Sequence, residues 1–131
     1  PVPQPEFDAL LAQFDVLVVR GEDSFVRAQY AAKPMLWHIY PTPDDAHIVK
    51  LDAWLARYCV GLDPAVADAI RSAHLAFNCG DKRPEMYAPF ALLLPAIRAH
   101  AKRWRDHLCA QTDLATRLLA FISLKESQKT G

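Results

Sequence analysis

The sequence predicts an α/β protein, part of a parallel-sheet domain that passes into helices alone. Two short apolar runs, Val16 to Val19 and Met35 to Tyr40, lack the alternation of half-exposed strands and suit strands covered on both faces. The segment between them reads as a helix, the usual crossover between parallel neighbours. Beyond Tyr40 the apolar residues recur at helical spacing only.

Each element has its own signals. Phe7, Leu10, Leu11 and Phe14 share one helical face, which predicts a short helix from Glu6 to Gln13 after a loop in which Pro3 and Pro5 flank Gln4. The first strand leads through Arg20 and Gly21 into a helix from Ser24 to Ala32, and Lys33-Pro34 ends it because the residue before proline disfavours helix. The second strand stops at Pro41-Thr42-Pro43. Asp44 or Asp45 then opens a helix whose apolar face is Ile48, Leu51, Leu55 and Tyr58 and whose stop is Gly61. Asp63-Pro64 starts the next helix, with Val66, Ile70, Ala73 and Phe77 buried. After the loop Cys79 to Pro84, a helical region from Pro89 to Cys109 is expected to break at Pro95. Thr112 or Asp113 caps a last helix through Leu124, and Lys125 to Gly131 reads as a frayed tail. Two parallel strands make a poor sheet, so further strands are expected upstream of Pro1.

Composition narrows the function classes. The 131 residues balance 15 basic against 15 acidic side chains, which removes any global electrostatic case for nucleic acid or membrane as partner. The three cysteines, Cys59, Cys79 and Cys109, are widely spaced and lack a C-x-x-C pair, which points to reduced thiols, a cytoplasmic location and no zinc site. The longest apolar stretch, Phe90 to Ala99, is too short to span a bilayer and contains Pro95.

The stretch Arg20-Gly21-Glu22-Asp23-Ser24-Phe25 carries the chemistry. It lies where a strand turns into a helix, at the carboxyl edge of the sheet where open α/β folds bind ligands. A helix N-terminus there offers unpaired amides to an anion, and Arg20 adds a permanently charged fork. The plainer reading is that Asp23 or Ser24 only caps the helix. His38, Tyr40 and His47 face the same crevice if the two strands are parallel, although a histidine beside a strand is more often structural. His100 and His107 read as surface residues. Trp37, Trp54 and Trp104 read as packing residues, and the basic run Arg98 to Arg105 as a solvated helix face or a contact surface for an acidic partner.

These motifs resemble a known family. Gln4, Phe7, Phe14-Asp15, the run from Arg20 to Gln29, Lys33-Pro34, Trp37-His38-Ile39-Tyr40-Pro41 and Asp45-Ala46-His47 are together similar to the protein-arginine rhamnosyltransferases that modify bacterial elongation factor P. The resemblance is close over residues 2 to 60 and looser beyond. It implies the carboxyl-terminal, donor-binding half of a GT-B glycosyltransferase, with residues 1–80 as the nucleotide-sugar portion of a Rossmann-like domain and 81–131 as a helical region. The implied reaction moves L-rhamnose from dTDP-β-L-rhamnose to an arginine of elongation factor P with inversion. By the same resemblance, Gln4 and Phe7 meet the thymine, Phe7 by stacking, while Arg20, Asp23 and Ser24 face the diphosphate and sugar. Tyr40 is a further donor contact and Glu22 the functional carboxylate. The general base is expected in an amino-terminal domain, so this part alone is expected to bind donor without turnover.

Residue chemistry supports parts of that assignment. An aromatic ring under a base contributes about 1–3 kcal/mol, although Phe7 also fits as a core residue beside Leu10 and Leu11. Gln4 can bond the thymine edge, where a loop glutamine is otherwise solvated. Carboxylates repel a diphosphate, so Glu22 is better used to hold a guanidinium near the anomeric carbon. Arg20 and the helix terminus offset leaving-group charge, so no metal cofactor is expected. Two other functions fit the same residues: a GT-B transferase with a different nucleotide sugar, and a noncatalytic nucleotide-binding or protein-interaction module.

Overall fold

The computed structural model describes the backbone from residue 4 to 130 and the side chains from 9 to 128. It is mixed α/β and mostly helical. In chain order the elements are α1 (Gln4–Gln13), β1 (Leu17–Val19), α2 (Glu22–Tyr30), β2 (Met35–Trp37), α3 (Ala46–Tyr58) and α4 (Pro64–Asn78). A 3-10 turn (Pro84–Met86), α5 (Ala88–Leu92) and α6 (Leu94–Thr130) follow. The two strands pair in parallel, with Leu17 beside Met35, Val18 beside Leu36 and Val19 beside Trp37.

Both strands are shorter than their apolar runs, three residues each. Val16 is buried without joining the ladder, and the chain leaves β2 after Trp37. The outward edge of β2 is closed by a side chain. Asn78, the last residue of α4, donates Nδ2–H to the Trp37 carbonyl at 2.9 Å and accepts from the Ile39 amide at 3.0 Å. That pair of bonds substitutes for a neighbouring strand and satisfies two backbone groups that burial would otherwise make costly.

Helices α1 and α2 pack on β1, and α4 packs on β2. Leu36, Trp37, Leu51, Leu55, Ile70 and Ile97 form the deepest part of the core. The spacing-based faces of α3 and α4 hold: Leu51, Leu55 and Tyr58, and Val66, Ile70, Ala73 and Phe77, are all buried. Asp63 caps α4, accepting from the Ala65 amide at 3.0 Å, with Pro64 at the first position. Gly61 has φ +79°, the left-handed conformation expected of a residue that ends a helix.

Other expectations are corrected. Helix α1 begins at Gln4, so Pro3 and Pro5 do not hold Gln4 in a loop; Pro5 lies in the first turn, where its missing N–H has no intrahelical partner to lose. Helix α2 begins at Glu22 and is preceded by Gly21 in an extended conformation, with no side-chain cap. Asp23 and Ser24 are therefore inside the helix, and neither caps it. The interruption near Pro95 falls at Leu93, because the proline ring is accommodated in the first turn of a new helix. No break occurs at Thr112 or Asp113. α6 runs on to Thr130, and Thr112 and Thr116, rather than capping, donate their hydroxyls to carbonyls four residues back, at 3.0 Å each. From Cys109 to Gln128 its side chains are all exposed.

Candidate functional site

The carboxyl ends of both strands open into one cleft of about 240 Å³. Arg20 follows β1, and Trp37, Ile39 and Tyr40 follow or end β2. Glu22 comes from the first turn of α2, and Thr42, Ala46, His47 and Lys50 come from the turn into α3 and its first two turns. Of the residues expected to act together, Arg20, Glu22 and Tyr40 do line this cleft.

Arg20 is half-buried and its guanidinium carbon lies 6.0 Å from the centroid of the Phe77 ring. That cation–π contact holds the arginine against α4, at the mouth of the cleft it lines. Glu22 forms an ion pair with Lys50 across the cleft, from α2 to α3. Both side chains are more than half exposed, so the pair is worth little in stability and exchanges readily. Tyr40 is 63% exposed at the rim.

Asp23 and Ser24 do not line the cleft. Asp23 is exposed, and Ser24 folds its hydroxyl back onto the Gly21 carbonyl at 2.9 Å. Their backbone amides are nevertheless in the uncapped first turn of α2, whose N–H groups have no intrahelical acceptor. An added Cβ at Gly21 would meet only the Ser24 hydroxyl, at 3.8 Å, so the approach to this turn is open. The side chains of Gln4 and Phe7 lie outside the described residues.

The far wall is shaped by a small hydrogen-bonded turn. The Thr42 amide donates to His47 Nδ1 at 3.1 Å, and the His47 amide donates to Thr42 Oγ1 at 3.1 Å. Because Nδ1 is the acceptor, the neutral ring carries its proton on Nε2. Asp44, beside it, accepts from the Ala46 amide at 3.3 Å; that bond and the Thr42 hydroxyl hold its carboxyl below the usual range. Asp45 precedes α3 with φ 57° and makes no side-chain cap, so Asp44 does the capping. His47 thus holds the turn. His38 packs nearly perpendicular to the Phe77 ring, with centroids 5.6 Å apart, and is not among the residues lining the cleft.

Behind the cleft the tryptophans do pack, as their spacing suggested. Phe25 stacks on Trp37 at 3.7 Å, and Trp54 meets both rings edge-on. Gln29 of α2 ties this cluster together, accepting from Trp54 Nε1 at 3.3 Å and Trp104 Nε1 at 2.8 Å. His100, expected at the surface, is instead buried; it packs edge-on to Tyr58, and burial lowers its pKa. It faces inward because α6 crosses the end of α3 there. Lys50 and Thr42 were missed as site residues. A lysine within an amphipathic helix gives no local sign that it reaches a cleft formed two strands earlier.

A basic residue after one parallel strand, an uncapped helix beside it and aromatic walls define an α/β protein with a cleft at the carboxyl edge of its strands. The comparisons with known proteins specify this further. Residues 1–123 match the family described as "Elongation-Factor P (EF-P) rhamnosyltransferase EarP", and the chain belongs to that family. A protein-arginine rhamnosyltransferase of Shewanella oneidensis is 44% identical over 122 residues, covering 91% of this chain and 31% of that protein. One from Pseudomonas aeruginosa is 43% identical over 120 residues, covering 92% and 32%, and one from Neisseria meningitidis is 38% identical over 127 residues, covering 93% and 33%. The chain therefore spans about a third of the length of these curated relatives. A solved structure described as the "Structural basis for EarP-mediated arginine glycosylation of translation elongation factor EF-P" superposes with a TM-score of 0.67 at 40% identity, over 92% of this chain and 38% of that one. No helix among the described residues is long and apolar enough to cross a membrane.

Proposed function

We propose that this chain is the donor-binding part of an inverting, cytoplasmic GT-B glycosyltransferase that transfers L-rhamnose from dTDP-β-L-rhamnose to an arginine of elongation factor P. The observation that carries the reading is the convergence of Arg20, Glu22 and Tyr40 in one cleft at the carboxyl edge of the strands, in a chain of this family. On this reading residues 1–80 are the nucleotide-sugar portion of a Rossmann-like domain, residues 81–131 form its helical continuation, and the rest of the enzyme supplies the general-base aspartate.

The roles follow from charge. Arg20 and the first-turn amides of α2, those of Asp23 and Ser24 among them, receive the diphosphate, and Lys50 adds a second cation. These groups offset the charge that develops as the bond from the anomeric carbon to the phosphate oxygen breaks, without a metal ion. Gln4 and Phe7 take the thymine, and Tyr40 closes over the sugar. Glu22, already paired with a lysine in the cleft, exchanges it for the acceptor guanidinium, which it can hold through two parallel bonds. A guanidinium nitrogen attacks the anomeric carbon, dTDP leaves, and the base removes the nitrogen-bound proton.

An amide-resolved NMR titration with dTDP, with UDP and Phe7→Ala as controls, tests donor binding. Shifts at residues 4–7, 20–24 and 40–50 that favour dTDP are expected; equal response to UDP would assign a different nucleotide sugar. In the intact enzyme Glu22→Gln is expected to lower kcat by about a hundredfold or more, in the range of a lost catalytic carboxylate. Normal turnover would remove Glu22 from the mechanism.

A further inference from the structure

Resting on the reading above, we propose that the protein acceptor docks along one face of α3, in a groove that starts at the transfer cleft and ends in a basic notch holding an acidic side chain of that protein. Three hollows share walls. At Trp37 and Lys50 the cleft gives way to a trough of about 330 Å³ walled by Phe25, Trp54 and Trp104. At Arg57 and Trp104 that trough meets a notch of about 290 Å³ between the end of α3 and α6, completed by Arg103 and His107. Lys50 and Arg57 are two turns apart on α3, so the cleft and the notch lie about 10 Å apart on the same side of the helix.

The chemistry of each stretch selects its occupant. Two guanidinium groups and the imidazoles of His100 and His107 line the notch, and no carboxylate does. Arg105 is held by Asp106 at 3.2 Å, whereas Arg57 and Arg103 form no ion pair among the described residues. Both are exposed. Guanidinium forks match a carboxylate with two parallel bonds. A nucleic acid fits poorly, because two arginines neutralise too few phosphates and the chain has no net charge to add.

The trough before the notch suits an apolar side chain. The indole N–H groups of Trp54 and Trp104 are both engaged by Gln29, so between Lys50 and Arg57 at its ends these two side chains offer the trough ring surface rather than donors. Aromatic and arginine side chains at a surface are the residue types that anchor protein partners. The groove therefore fits a protein that places its arginine at Glu22, an apolar group over the tryptophans and a carboxylate about 10 Å from the modified residue. This assigns a role to part of the basic run on α6, which the donor site leaves unused.

The test pairs Arg57→Ala/Arg103→Ala with wild type in the intact protein, with far-UV circular dichroism to verify the fold. In the transfer assay the KM for the protein acceptor is expected to rise about tenfold or more, with kcat and the donor KM unchanged. In a fluorescence titration with an Asp/Glu-rich peptide carrying one phenylalanine, the double variant is expected to bind about tenfold more weakly. An unchanged acceptor KM, or equal peptide binding, overturns the proposal. Competition by inorganic phosphate as strong as by the peptide overturns the carboxylate assignment. Absence of transfer by wild type would instead sink the reading of the reaction, and the peptide titration would still decide the groove.

Discussion

Lys50 and His74 show how much of this chain's behaviour depends on what a side chain faces. Lys50 is chemically ordinary, yet it reaches Glu22 across the cleft and places a second cation beside Arg20. Its partner was readable in the sequence, since Glu22 follows a strand and a glycine, but the lysine was not, because 28 residues separate the two. His74 lies on the buried face of α4, with Nδ1 bonded to the Ile70 carbonyl at 2.9 Å and Nε2 without a partner among the described residues. Burial pushes its pKa down from 6.5 to about 4. Between those values the unfolded chain binds a proton that the folded protein refuses, so stability falls as pH falls through this window and is retained above it. A shift of that size corresponds to about 3 kcal/mol. Thermal melts from pH 7.5 to 4 are expected to show the loss, and His74→Leu to flatten it. A wild-type midpoint independent of pH across that range would exclude a neutral buried histidine.

At the scale of elements, local chemistry predicted what local chemistry controls. Asp63-Pro64 started a helix, Gly61 ended one, and the apolar faces of α3 and α4 went to the core. The failures lie where tertiary contacts outweigh local preference. Gly21 precedes α2 without a cap although Asp23 and Ser24 stand close by, and Thr112, inside α6 rather than at a cap, meets the Tyr30 hydroxyl of α2 at 3.3 Å. The strand edge is the clearest case. A two-stranded sheet has an unsatisfied side, and here the amide of Asn78 fills it through contacts 39 and 41 residues away in sequence. Asn78→Ala leaves the Trp37 carbonyl and the Ile39 amide without these partners, at a cost of about 1–3 kcal/mol for each buried group. A lower melting temperature, together with concentration-dependent association through the opened edge, is the expected result. Asn78→Asp should restore only the bond from Ile39. A melting temperature unchanged in the alanine variant would mean that another group closes the edge.

Across the whole molecule, the cleft was partly legible because three of the residues that line it are tied to strand ends. Arg20, Glu22 and Tyr40 were placed by topology, since parallel strands bring their carboxyl ends to one edge. The wall from Thr42 to Lys50 and the aromatic trough were not legible, because they depend on how α3 crosses α2 and on which rings Gln29 gathers. This division predicts how ligand binding should spread. A nucleotide diphosphate in the cleft touches α2, the end of β2 and α3 together, while the outer half of α6 has no buried side chain through which to feel it. At a concentration a hundred times its Kd, such a ligand stabilises the bound state by about 2.7 kcal/mol. Hydrogen exchange with and without dTDP should therefore slow at residues 20–25 and 38–50 and stay unchanged from residue 110 to 128. Protection that instead began in the outer half of α6 would place the anion site elsewhere, since that segment shares no wall with the cleft.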